Sequence, residues 1–202
     1  MLAERKAMLG HFQPEMRFDC GKSAVAVAYL VQKTGKSLYD VMKMLYVADK
    51  CHLERYGRFI TGDRYVAMAK GPVPSATYDL MKYLRGDRRY FDGGESVKRL
   101  LKLERGGSHA FTLLRSPDLD ALSESDIECL DHVIALMHEK GAKYVRALSH
   151  DEAWRNTPEN DAMAVNAIAA SVEDGAALVQ HLTDRFPGEA TRAPASGQRK
   201  RA

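Results

Sequence analysis

Lys43-Met44-Leu45-Tyr46-Val47-Ala48-Asp49-Lys50-Cys51-His52-Leu53-Glu54-Arg55-Tyr56-Gly57-Arg58 is the stretch that decides the fold. From just upstream, apolar side chains at Leu38, Val41, Met42, Leu45 and Ala48 recur every three or four residues, the period of one buried helix face. Ser37 can cap the start, and Gly57 can take the left-handed conformation that ends a helix. The pattern therefore predicts a helix from residue 38 to about Tyr56, about 28 Å long. The same rhythm continues onto His52, and Asp49 stands one turn after Leu45, so the helix carries two polar side chains to the edge of its apolar face.

Towards the N-terminus, Asp19 can cap a helix that runs to Thr34 and stops at Gly35. Its middle, Ala24 to Val31, is apolar all round and belongs in the centre of a bundle. Beyond Gly57, the segment Arg58–Pro74 is rich in Gly and Pro, with a strand-like piece at Arg64–Ala69. Pro74 and Ser75 open a third helix that ends near Arg85-Gly86, with Tyr78, Met81 and Leu84 facing inward. Val97–Leu103 and Ala110–Leu114 read as a hairpin turned at Gly106-Gly107. Ser123 with Asp126 gives a capping box for a fourth helix, whose stripe is Ile127, Leu130, Ile134 and Met137 and whose end is Gly141. A shorter helix follows from Ala142 to Leu148. Ser149 and Glu152 form a further capping signal before Trp154, and a last helix in Asp161–Phe186 places Ala177, Leu178, His181 and Leu182 on one side. The expected class is α+β, mainly α: a compact helical domain with a small antiparallel hairpin between the third and fourth long helices. The expected organisation is an N-terminal extension at 1–18, the domain at 19–186 and a disordered basic tail at 187–202.

The composition fits that reading. Of 202 residues, 45% are hydrophobic and 28% charged, an ordinary globular balance. The longest apolar run is the eight residues Ala24–Val31, far short of the ~20 that cross a membrane. The first residues lack the apolar stretch of a secretory signal. Three cysteines, Cys20, Cys51 and Cys129, with no C-x-x-C spacing, imply reduced thiols and a cytoplasmic protein. The whole net charge of +3 is carried by Arg192, Arg199, Lys200 and Arg201 against Glu189. A neutral domain with a basic end argues against nucleic acid as the partner.

The densest polar run is Asp49, His52, Glu54, Arg55, Tyr56, Arg58, Thr61, Asp63 and Tyr65. His52, Asp49 and Arg55 share a helix face at intervals of three, and Asp63 returns after a turn to pair with His52 or an arginine. Such a cluster supports either a His–Asp acid/base pair with arginines for an anion, or a buried polar network that locks a loop onto two helices. The second reading is favoured, because structural networks recruit the same residue types and often mimic sites; no Ser or Cys nucleophile motif accompanies the pair. His132 and His138 do not share a face, and no metal-binding spacing occurs, so neither metal nor cofactor is expected. Neither Gly93-Gly94 nor Gly106-Gly107 makes a phosphate-binding loop. Arg85, Arg88 and Arg89, with Lys82, Tyr90 and Phe91, combine cations and aromatics and suit a partner-binding surface.

The quoted run resembles the opening motif of Panacea domains, the fold of SocA-like antitoxins: a "K-L-L-Y-x-A-D" helix leading into "H-x-x-x-Y-G-R". Ile60-Thr61-Gly62-Asp63-Arg64-Tyr65-Val66-Ala67 and Gly71-Pro72-Val73-Pro74-Ser75 follow in the family's order. Leu122-Ser123, Leu130, Ser149-His150 and Trp154 look like its second half, so the resemblance spans about residues 20–155. Phe59 and Ala153 stand where the family usually has proline, and the first departure is expected to loosen the loop.

The resemblance implies a phage-associated or bacterial protein of a toxin–antitoxin system, which binds a cognate toxin and catalyses nothing itself. One type of the family is a proteolytic adaptor that presents its toxin to ClpXP. The residues named in the polar run (Asp49, His52, Arg55, Tyr56, Arg58, Thr61, Asp63, Tyr65) are then a structural cluster that can also face the partner, with Arg85, Arg88 and Arg89 as a second contact. The alternatives are a hydrolase acting on nucleotides through His52 and Asp63, and a nucleic-acid-binding regulator using the three arginines and the basic tail.

Overall fold

The computed structural model describes residues 16–105 and 109–185. The tail at 187–202, most of the extension at 1–18 and the Gly106-Gly107 turn lie outside them.

Helix α1 (Cys20–Thr34) starts at Asp19, whose carboxylate accepts from the backbone N–H of Lys22, and ends at left-handed Gly35. Helix α2 (Leu38–Tyr56) ends the same way at Gly57, but the Ser37 side chain makes no capping bond. The chain then returns as a hairpin of β1 (Tyr65–Met68) and β2 (Gly71–Pro74), paired from Tyr65↔Pro74 to Met68↔Gly71. β2 is hidden in the Gly/Pro-rich stretch. Its two prolines lack N–H groups, which confines it to the hairpin's outer edge. The inner edge of β1 is closed by Asn160–Met163, through bonds such as Met163 N–H to the Tyr65 carbonyl.

Helix α3 (Ser75–Arg85) follows directly, and its buried residues are Thr77, Leu80, Met81 and Tyr83. Tyr78 and Leu84 are only half-buried at the margin of the core, so the inward face is rotated from the expected one. Gly94–Val97 forms a short helix, α4, which takes the first residue of the expected Val97–Leu103 strand. The hairpin is therefore shorter, β3 (Leu101–Leu103) against β4 (Phe111–Leu113). Helix α5 (Glu124–Ser149) begins with the predicted Ser123–Asp126 capping box, and Gly141, at φ 78° and ψ 172°, breaks its helical geometry. That break divides it where the sequence predicted one helix to end and another to begin.

Helix α6 (Glu152–Arg155) is capped by Asp151, not Ser149. The Ser149 hydroxyl instead donates to the Arg146 carbonyl of its own helix. Helices α7 (Val165–Ala170) and α8 (Gly175–Arg185) close the described chain. On α8, Leu178, Val179 and Leu182 meet the core, whereas Ala177 and His181 face solvent.

Two apolar cores result. The larger joins α1, α2, α3, the β3–β4 hairpin and α5; the smaller joins Tyr46, Leu53, Phe59, Tyr65, Met163, Val165, Ile168 and Leu182. Both include residues of α2. This helix is thus buried nearly all round, with Lys43, Asp49 and His52 among its enclosed side chains. The expected place of α1 at the centre is shared with α2, because the polar groups of α2 find bonding partners inside the protein. Phe59 is buried edge-on to Tyr65, with ring centroids 5.8 Å apart. It pins the loop it was expected to loosen.

Candidate functional site

Helix α2 delivers Asp49 and His52 to the point where the chain folds back after Gly57. Asp49 is almost fully buried and accepts two bonds, from the Ile60 backbone N–H at 2.6 Å and the Tyr65 hydroxyl at 2.7 Å. Burial pushes its carboxyl up to about 7 despite those bonds. Tyr65 stands edge-on to Tyr46, with centroids 4.9 Å apart, so one carboxylate ties the returning loop and β1 to α2.

His52 is completely buried. Its Nδ1 lies 2.9 Å from the Arg58 carbonyl, and its Nε2 lies 3.1 Å from Ser125 Oγ and 3.2 Å from Asp126 Oδ1. Burial, helped by the Arg58 charge, holds the imidazole below its ordinary range. The neutral ring therefore donates from Nδ1 to the carbonyl and accepts at Nε2 from the serine hydroxyl.

Asp126, on α5, gathers Lys22 Nζ at 2.5 Å, Arg58 Nη1 at 3.2 Å and the Ser123 backbone N–H at 2.8 Å. Burial alone would raise this carboxyl, but Lys22 and the Ser123 bonds outweigh it and hold it low. The carboxylate beside His52 therefore comes from α5.

The predicted pairing of Asp63 with His52 or an arginine is not formed. Asp63 accepts from the backbone N–H groups of Arg64, Ala76 and Thr77 and from the Thr77 hydroxyl, all within 3.0 Å. Pro74 has no side-chain donor or acceptor with which to cap α3, so Asp63 satisfies the free N–H groups of its first turn from across the hairpin. Thr77 in turn bonds Ser23 of α1 at 2.8 Å. Thr61 is buried, and its carbonyl accepts from the Asp19 N–H.

Around this interior lies an exposed rim. Arg55 and Tyr56 both reach Glu128, each at 2.5 Å, and the Arg58 side chain is 47% exposed. Arg85, Arg88 and Arg89 lie elsewhere, at the end of α3. Arg85 pairs with Asp87 and Arg88 with Asp79, while Arg89 has no partner among the described residues.

Sequence reading missed the members supplied by distant elements: Lys22, Ser125, Glu128 and Asp126, the last seen only as a cap. It also missed Lys43, which is 1% exposed and donates to the Pro72 carbonyl at 2.7 Å. Burial lowers the Lys43 ammonium to about 8. Lys50 and the Tyr46 hydroxyl both bond Asp151. A signal was available: Tyr39, Lys43, Tyr46 and Lys50 follow a 4-3-4 spacing on one face of α2. Among the described residues, no group of three or more His, Cys, Asp or Glu could hold a metal ion. No described helix is long and apolar enough to cross a membrane.

What the arrangement does chemically is hold. Asp49, His52, Asp63 and Asp126 are all engaged in internal bonds, which fix α2, α3, α5 and the returning loop to one another. Comparison with known proteins agrees with the motif reading. The family model described as antitoxin SocA-like, Panacea domain, matches residues 41–155, more than half the chain and most of this cluster. The match begins within α2, so α1 falls outside it, although the motif resemblance extended to about residue 20. No curated protein and no solved structure matches the chain.

Proposed function

Because the chain belongs to the antitoxin SocA-like, Panacea domain family, we propose that it binds a cognate protein toxin and neutralises it. The observation that carries the proposal is the saturation of the polar cluster. A catalytic group needs a free valence towards a substrate, and here each buried carboxylate already serves two or more internal donors. Such a network favours a stiff surface for docking over a reacting centre. The proposed domain is 19–186, with 1–18 and 187–202 as flanks. The rim of Arg55, Tyr56, Arg58 and Glu128 is a proposed contact with the toxin, built as it is from half-exposed Arg and Tyr over a fixed base.

Neutralisation takes one of two routes: blocking the toxin, or handing it to ClpXP in the cytosol. The test is co-expression with the product of the adjacent reading frame. Growth arrest caused by that product should be relieved by this chain, and the two should co-purify. A toxin lifetime shortened only in cells that contain the protease identifies delivery; an unchanged lifetime identifies blocking. Arrest that persists at every expression level overturns the proposal.

A further inference from the structure

A second feature lies outside the polar cluster. The end of α3, the turn after α4 and β3 with its exit border an open groove of about 610 Å³, lined by Arg85, Arg88, Arg89, Lys98, Lys102 and Arg105, with Glu104 the only acidic residue among its described lining. These cations come from three separate segments: the end of α3 and the loop after it, the turn after α4, and β3 with its exit. In a chain whose described part has no excess of positive charge, this concentration is local.

Carboxylates already occupy half of the set. Arg85 is paired with Asp87, Arg88 with Asp79 and Lys98 with Glu95. Arg105 spends one donor on the Arg85 backbone carbonyl, at 2.6 Å, which fixes its side chain at the end of α3. Among the described residues, Arg89, Lys102 and Arg105 have no carboxylate partner, and Arg89 and Lys102 are exposed.

We infer that this groove grips an acidic peptide segment of the partner, with Arg89, Lys102 and Arg105 receiving its carboxylates. That the partner is the toxin rests on the antitoxin reading above. Three arguments favour an acidic peptide over a nucleic acid. The groove's own Arg and Lys side chains already take carboxylates as partners. Glu104 in the lining, with Asp87 and Glu95 paired to its Arg85 and Lys98, repels a continuous phosphate backbone but tolerates spaced carboxylates. The volume suits a few peptide residues. The chain's own basic end, Arg199-Lys200-Arg201, has the wrong sign to fill it.

The test uses the full chain and a fluorescent decaglutamate peptide, with decaglutamine and a deoxythymidine decamer as comparisons. At about 0.15 M salt, decaglutamate should bind and decaglutamine should not. Arg89→Glu with Lys102→Glu, at two exposed side chains without partners, should weaken decaglutamate at least about tenfold with no change in melting temperature. No binding at that salt, unchanged affinity in the double variant, or tighter binding of the decamer overturns the inference. In cells, the same variant should lose suppression of toxin-induced arrest where the wild type retains it; equal suppression overturns it too. A wild type that never suppresses the arrest defeats the antitoxin reading instead, and the peptide titration then judges the groove by itself.

Discussion

The Asp49 carboxylate on α2 accepts the Tyr65 hydroxyl at 2.7 Å from the first residue of β1, in a place closed to solvent on all sides. That bond ties the far end of the segment that follows α2 back onto the helix, and the second bond, from the Ile60 N–H, fixes its middle. The family's A-D motif is thereby given a structural reason: the aspartate is the anchor onto which the returning chain folds.

The first prediction concerns pH. The Asp49 carboxyl sits at about 7 in the folded protein, against an ordinary 3.8. A folded-state pKa above the unfolded value means that the stabilisation is complete below about pH 4 and is lost as pH rises through about 7. Asn at this position has no proton to lose and can still accept from Ile60. The melting temperature of Asp49→Asn relative to wild type should therefore climb between about pH 4 and 7 and level off above. A difference that stays flat across that window would contradict the assignment.

Lys43 predicts a trend in the alkaline range. Its ammonium titrates at about 8 when folded, against 10.5 ordinarily, so the unfolded chain binds more protons between those values. Wild-type stability relative to Lys43→Met should rise between about pH 8 and 10.5 and stay level below about 8. Thermal melts at stepped pH measure both limbs.

The His52–Asp126 contact should show up as a coupling energy. Asp126→Ala strands Lys22 and removes the carboxylate packed beside His52, and a loss of roughly 3 kcal/mol is expected. His52→Ala removes a buried ring bonded on both sides and should cost about 1–3 kcal/mol. In a double-mutant cycle followed by urea unfolding, the two losses should fall short of additive by more than about 0.5 kcal/mol. Toxin binding by folded His52→Ala should persist. Loss of binding without loss of stability would place His52 in the interface.

Gly71 supplies a steric test. Its φ of +102° disfavours any other residue, and a Cβ there would meet His150 Nε2 at 2.8 Å and Lys43 Nζ at 2.9 Å. Gly71→Ala should destabilise by about 1–3 kcal/mol. Urea unfolding of Gly71→Ala against wild type reads the cost.

Much of this fold was legible in local signals. Asp19, Gly35, Gly57 and the Ser123–Asp126 box mark helix ends through bonds within four residues, so sequence displays them directly. β2 was hidden because Pro72 and Pro74 read as breakers, and only an edge position tolerates them. The helix at Gly94–Val97 went unseen, and Val97 read as the start of a strand, because a four-residue helix has too few turns to show a period. At the site, the members on α2 and its loop were visible, since spacing on one helix reports a shared face. Their partners were not. Asp63 is drawn to the bare first turn of α3, and Asp126 reaches His52 from more than seventy residues away in sequence. No local pattern encodes either meeting.

The central claim is that this scaffold works by holding a partner and not by transforming one. Titration of the purified chain into the purified product of the adjacent reading frame, followed by calorimetry, tests it most directly. The account predicts a stoichiometric complex with affinity on the order of nanomolar, about −12 kcal/mol, and a toxin left chemically unchanged in mass. No heat of binding at micromolar concentrations, or a toxin whose mass is altered by catalytic amounts of the chain, would contradict it.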